Sequence, residues 1–369
     1  MTFTTLLERV SRKSISLKNK VLRQDSEKIR LLGDLMRSSP SSHAGAQDWA
    51  QQCADLIENN LLDRISKKDI ALILAGLVSY RNTGVTPQMS HRALVRAYEN
   101  SSGVMQDLLH KILFSAELEK GNPIKSTFFG ETAPAEVDAL LNELDEKGYA
   151  VLPTCLDQSW VDALVAEAGN LGYTLKESAL EEREIKNRKI DPNNPPKCVA
   201  AFAKSTDLAA SKIFNDFSND SLLVNLASRY MNANAFPIGL SLWYSFASDA
   251  PSSDAAQLFH YDLDTLRWLK VFVYLTNVGP DNGPHEYIPE SHKPGAKPQQ
   301  LLDREYARLE DKEIDKHCPQ GRKSICGPRG TVILGDTSCF HKGNAVNTDY
   351  RLIFSPIYAA SRIGYFHGE

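Results

Sequence analysis

"LFHYDLDTLRWLKVFVYLTNVGP", residues 258–280, sets a histidine and two aspartates at alternate positions just ahead of a run rich in β-branched and aromatic side chains. That run reads as a strand. In extended chain, residues i and i+2 share a face, so His260 and Asp262 project together while Tyr261 faces away. The pair is a two-ligand pincer for a metal ion. Asp264 lies roughly 13 Å along the strand from His260, too far for the same coordination sphere, and reads as a turn residue or a support behind the ligands.

Working outward, other short strand-like runs occupy the second half of the chain: "IGLSLWYSFA" (238–247), "HEYIP" (285–289), "GTVILGD" (330–336) and "YRLIFSPIYA" (350–359). Turn signals separate them and no crossover helices intervene, which predicts an antiparallel sandwich or jelly roll. Further upstream, a helix carrying Val137, Leu140, Leu141 and Leu144 ends at Gly148, the strand "YAVLP" follows, and a second helix starts after Asp157. The fold class is α+β.

A pincer needs a third ligand, and His341 in "GTVILGDTSCFHKGNAV" (330–346) supplies it at the end of a strand. Two imidazoles and one carboxylate suit ferrous iron, with adjacent positions left for a chelating cosubstrate and O2. An isolated His-x-Asp is a weak signal, since coincidental surface pairs are common. Arg351 adds weight: it sits on the next strand, opposite the apolar face of Tyr350, Leu352 and Phe354. An inward guanidinium must meet an anion, and its planar fork matches a carboxylate end-on.

These elements together resemble the phytanoyl-CoA dioxygenase family of Fe(II)- and 2-oxoglutarate-dependent oxygenases. "KGYAVLPTCLD" is similar to the family's entry strand, "FHYD" to its His-x-Asp pair, and "WLKVFVYLTNVGPDNGPHEYIPESHK" to its longest signature. "GTVILGDTSCFHKG" followed by Arg351 matches its distal histidine and cosubstrate arginine. The resemblance implies a double-stranded β-helix, a jelly-roll or cupin-like fold, over residues 127–369. It implies Fe(II) on His260, Asp262 and His341, the far carboxylate of 2-oxoglutarate on Arg351, and Tyr274 beside that cosubstrate. The implied reaction uses O2 and 2-oxoglutarate to hydroxylate an unactivated C–H bond. The substrate is expected to be a small molecule, or one linked to a glycan or lipid. A jelly roll that binds metal without 2-oxoglutarate is the competing reading, and Arg351 speaks against it.

Residues 1–126 fall outside the resemblance. Apolar residues recur there at helical spacing, as in "WAQQCADLIENNLLDRI" (49–65) and "DIALILAGLVSY" (69–80), so this region is expected to be helical, its boundary lying in "EKGNPIKSTFFGETAP" (119–134). The first thirty residues hold eight Lys or Arg against three Asp or Glu, a basic helix able to touch an anionic membrane surface or simply to face solvent. No apolar stretch is long enough to span a bilayer. A net charge of −4 gives no signal for nucleic acid, and six cysteines without a Cys-x-x-Cys pair suit reduced thiols in a cytoplasm.

Four further features complete the reading. "LKESALEEREIKNRKIDPNNPPK" (175–197) is a loop or lid, and residues 295–324 form a charged, partly helical insertion that walls a substrate or lies on the surface. Lys270 and Arg267 support a carboxylate or pair at the surface. Ser291, His292 and Cys339 read as structural.

Overall fold

The structure, a computed structural model, describes residues 64–364 apart from 115, 117, 119–120, 177–185, 248–254 and 305–306. The basic N-terminal helix and most of "WAQQCADLIENNLLDRI" therefore lie outside the described residues, as does the middle of the 175–197 segment.

Three helices come first: α1 (Lys67–Thr83), α2 (Gln88–Ser101) and α3 (Val104–Leu113). The Ser66 hydroxyl accepts from Asp69 N–H at 3.1 Å to start α1, and Gly84 in the left-handed region ends it. Ile70, Ile73 and Leu77 on α1 pack with Ala93, Leu94 and Ala97 on α2 and with Met105, Leu108 and Leu109 on α3. Leu266 and Ile363, from the second half of the chain, complete this core.

A small hairpin, β1 (Ile124–Ser126) and β2 (Gly130–Thr132), leads into α4 (Pro134–Lys147), β3 (Tyr149–Val151), α5 (Gln158–Gly169), β4 (Tyr173–Lys176) and β5 (Ala200–Ala203). Gly148 between α4 and β3 is required twice over: its φ is 84°, and a Cβ there would meet Cys339 Sγ at 2.3 Å. Helices α6 (Ser205–Ala210), α7 (Lys212–Ser218) and α8 (Ser221–Met231) precede β6 (Phe236–Phe246), β7 (Trp268–Tyr274) and β8 (His285–Tyr287). The charged insertion holds α9 (Gln299–Leu302) and α10 (Asp311–His317), as its composition predicts. The chain finishes with β9 (Lys323–Ile325), β10 (Val332–Gly335), β11 (His341–Gly343) and β12 (Tyr350–Ala359).

Apart from the β1–β2 hairpin, the strands form two sheets, antiparallel throughout: one of seven strands in the order β3-β10-β7-β12-β6-β5-β4, and one of three in the order β11-β8-β9. Strands β4 and β5 extend the larger sheet where the sequence reading has no strand; Leu175 and Lys176, at the start of the 175–197 loop, are strand. The period of two decides which layer each residue joins. Leu269, Val271 and Val273 of β7, Leu352 and Phe354 of β12 and Leu242 and Tyr244 of β6 face a core with Leu140, Leu164, Phe217 and Leu226 from the helices. Phe272 and Tyr274 of β7 and Ile353 of β12 face the other way, against Tyr287 and Ile325 of the small sheet. A space between the two sheets is where the histidines and Arg351 meet.

Candidate active site

His260 and Asp262 do not lie on a continuous strand running into β7, as the sequence reading had it. Residues 261–267 are irregular, and His260 is held instead by an isolated bridge to His341. The His260 N–H donates to the His341 carbonyl at 3.0 Å, and the His341 N–H donates back at 2.8 Å. The Asp262 N–H donates to the Thr337 carbonyl at 2.8 Å. Backbone pairing between these distant segments thus brings the three side chains together, and their potential ligand atoms all fall within 4.8 Å of one another.

The protonation state is set by the surroundings. His260 Nδ1 lies 2.9 Å from the Leu258 carbonyl and His341 Nδ1 lies 2.9 Å from the Cys339 carbonyl. A carbonyl only accepts, so each Nδ1 carries the proton and each Nε2 offers its lone pair. Those Nε2 atoms face Asp262, at 3.8 Å for His260 and 3.6 Å for His341. Burial lowers the pKa of both imidazoles, which keeps them neutral and able to ligate. Burial works in the opposite sense on Asp262, but Lys270 Nζ, 2.6 Å from Oδ2, holds the carboxyl well below the usual range. The same ammonium lies 2.8 Å from Asp264, so Asp264 is tied to the ligand group through Lys270. Arg267, by contrast, stacks over Tyr230 at 4.6 Å and plays no part in the group.

The triad opens into a cavity of about 290 Å3 that Arg351, Arg308, His285, Phe272 and Trp243 also line. Arg351 is 1% exposed. It stands opposite Ser245 in the β12–β6 register and donates from Nη2 to the Ser245 hydroxyl at 3.1 Å. Its Nε and Nη1 have no hydrogen-bond partner among the described residues. Burial lowers its pKa to about 10, which leaves it charged at neutral pH. Gly343 lets the main chain pass close to the guanidinium, since a Cβ there would stand 2.9 Å from Arg351 Nη2. A buried cation with open donors suits an anion entering the cavity.

Tyr274 is buried, and its hydroxyl is spent elsewhere: it donates to the Ile325 carbonyl at 2.9 Å and accepts from the His285 N–H at 3.0 Å. His285, not Tyr274, stands in the cavity wall, its ring 4.2 Å from that of Phe272. The sequence reading missed His285; the alternation in "HEYIP", which puts His285 and Tyr287 on one inward face, was the signal available. It also missed Arg308, for which a charged insertion offers none. Ser291 and Cys339 are structural: Ser291 Oγ accepts from Phe340 N–H at 2.9 Å, and Cys339 packs against α4 with its thiol pushed up to about 12 by burial.

Two imidazoles and a carboxylate able to hold one metal ion, with a buried guanidinium lining the same cavity, are what the fold and site define. The chain belongs to the phytanoyl-CoA dioxygenase family, whose model matches residues 144–352 and whose members are Fe(II)- and 2-oxoglutarate-dependent oxygenases. No curated protein matches. Solved structures similar to the chain include the epimerase SnoN in complex with Fe3+, alpha ketoglutarate and nogalamycin RO, at 18% identity over 61% of this chain and 84% of that one, with a TM-score of 0.46. Another is HygX from Streptomyces hygroscopicus with nickel and 2-oxoglutarate, at 18% identity over 60% and 86%, with a TM-score of 0.43. EctD from S. alaskensis in its apoform has 22% identity over 67% and 84%, with a TM-score of 0.43. These likenesses are distant, and membership rests on the family model. Among the described residues no helix is long and apolar enough to cross a membrane.

Proposed function

We propose that the protein is an oxygenase that hydroxylates a small molecule at an unactivated C–H bond, with Fe(II) held by His260, Asp262 and His341 and 2-oxoglutarate held by Arg351. The observation that carries this reading is the pairing, in one cavity, of a two-imidazole, one-carboxylate donor set with a buried guanidinium that has no carboxylate partner among the described residues. Arg351 also weighs against a metal-binding module without turnover, which would have no use for a cation kept open inside the protein.

The donor set fits Fe(II), and the open guanidinium fits a diacid. Bound there, Fe(II) with 2-oxoglutarate would supply oxidation by O2, giving succinate and carbon dioxide along with oxidised product. This chain's residues do the rest. The carbonyls of Leu258 and Cys339 fix each histidine in the ligating tautomer, Lys270 keeps Asp262 ionised and oriented, and Ser245 aims Arg351. Tyr274 acts behind the wall by holding the His285 backbone, and Phe272 and Trp243 supply apolar surface to the cavity.

In this reading the two sheets are the halves of a double-stranded β-helix, residues 127–369 are the oxygenase unit, and the described helices α1 to α3 of the region before it brace it. Anaerobic titration of the Fe(II) protein with 2-oxoglutarate tests the proposal through the weak visible charge-transfer band of a chelated 2-oxo acid. A saturable band, with His260→Ala, Asp262→Ala and His341→Ala each losing both the band and bound iron, is the expected result. Absence of any band in the unaltered protein, with iron bound, would leave the metal-binding module in its place.

A further inference from the structure

The cavity holds two guanidiniums, and the proposed chemistry uses one. Arg308 lines the same wall as His260, Asp262 and His341, and it comes from the insertion between β8 and β9. Its placement is fixed by main chain: Leu309 and Phe259 exchange two hydrogen bonds, at 3.0 and 2.8 Å, so the insertion is stitched to the segment that carries the first two ligands. Among the described residues Arg308 Nη1 is buried without a hydrogen-bond partner, and no ion pair joins Arg308 to a carboxylate. Asp262, the one acid among the described residues of the wall, is already paired with Lys270.

Charge in the cavity is therefore unbalanced. Among the described residues Lys270 is shared by Asp262 and Asp264, and a bound diacid offsets a divalent metal, so the two guanidiniums leave one positive charge in excess. An unpaired cation in a partly desolvated wall costs free energy until an anion arrives. On the oxygenase reading above, we infer that the substrate to be oxidised carries an anionic head group, a carboxylate or a phosphate, and that Arg308 holds it. A cavity of about 290 Å3 shared with the cosubstrate limits the buried part of that substrate to a small skeleton. Arg308 is then a specificity residue: it sets which compounds enter with their C–H bond facing the metal ligands.

The test uses the anaerobic Fe(II) protein saturated with 2-oxoglutarate, so that Arg351 and the metal positions are already taken. Hexanoate, hexyl phosphate and hexanamide are titrated in turn, and binding is read from the change in the visible band and from the thermal midpoint. The acids should bind at least about tenfold more tightly than the amide, and the better of the two identifies the head group. Arg308→Gln should erase that preference while 2-oxoglutarate still binds, and Arg308→Lys should keep part of it, retaining charge without the fork. Equal binding of acids and amide, or a preference that survives in Arg308→Gln, would overturn the inference. Failure of the unaltered protein to take up 2-oxoglutarate would count against the oxygenase reading; the thermal midpoints of the Zn(II)-loaded protein with the same three probes would then decide the role of Arg308 on their own.

Discussion

Tyr98 of α2 stacks on Tyr261, the residue between His260 and Asp262, with ring centroids 5.4 Å apart and planes inclined by 20°. The face of the ligand segment turned away from the cavity is thus covered by the N-terminal helices. Tyr98 also accepts a hydrogen bond from Lys297 Nζ at 2.8 Å, and that lysine lies over the rings of Tyr98, Tyr261 and Phe340. Phe259, Ile288, Leu301 and Ile314 complete the cluster.

Removing the ring should therefore reach the metal site through packing. Tyr98→Ala is expected to destabilise the protein by about 3 to 5 kcal/mol, the usual loss for a large buried aromatic, and to weaken Fe(II) binding as the segment loosens. Tyr98→Phe keeps the stack and loses the hydrogen bond from the Lys297 ammonium, so it should cost about 1.5 to 3 kcal/mol and leave metal affinity near that of the unaltered protein. Denaturant unfolding and metal titration on both variants check this; unchanged iron affinity in a folded Tyr98→Ala protein would show that the helices do not brace the site.

Lys270 is the shared counterion of Asp262 and Asp264. Lys270→Met should destabilise the metal-free protein by about 3 kcal/mol, because it leaves two carboxylates facing each other in a partly buried place. A divalent metal supplies the missing positive charge, so the rise in thermal midpoint on adding Fe(II) or Zn(II) should be larger in the variant than in the parent. Equal rises would mean that Lys270 does not balance the ligand charge.

Arg351 and Gly343 should fail together. Two charge-assisted hydrogen bonds worth about 1.5 to 3 kcal/mol each are lost in Arg351→Met, so 2-oxoglutarate affinity should fall by roughly two orders of magnitude or more while metal still binds. Gly343→Ala pushes a methyl against a guanidinium that is walled in on its other side by Ser245 and cannot retreat to solvent. It should raise the 2-oxoglutarate dissociation constant with little effect on iron, measured by the same anaerobic titration.

His110 of α3 gives the protein an acid-sensitive joint. It is buried, its Nε2 lies 2.9 Å from the Met231 carbonyl at the end of α8, and burial lowers its pKa from 6.5 to about 4. The unfolded chain binds a proton below 6.5 that the folded chain refuses until about 4. Stability should therefore fall as pH drops through that window, by about 3 kcal/mol from this group. His110→Gln, which keeps a donor to the carbonyl and does not titrate, should flatten the slope of unfolding free energy between those pH values; an unchanged slope would place the acid sensitivity elsewhere.

Much of this molecule is written locally. Alternation along β7 and β12 separates the layer of Leu269, Val271, Leu352 and Phe354 from the layer of Phe272, Ile353 and Arg351, because side chains on a strand point to opposite faces with a period of two. Spacing alone also pairs His260 with Asp262, and the glycine after α4 ends that helix where the pattern says it must.

What local pattern does not carry is the meeting of segments far apart in the chain. His341 reaches the pincer through a bridge that irregular backbone at 261–267 makes possible, where a continuous strand was expected from sequence. His285 and Arg308 enter the cavity because β8 and the insertion pair with β11 and with Phe259, a register that hydrogen bonds between distant stretches select and composition does not encode. The open donors of Arg351 are likewise a tertiary fact: the sequence places a cation on an inward face, and the packing of Ser245, Gly343 and Gly283 around it leaves that cation without an anionic partner among the described residues.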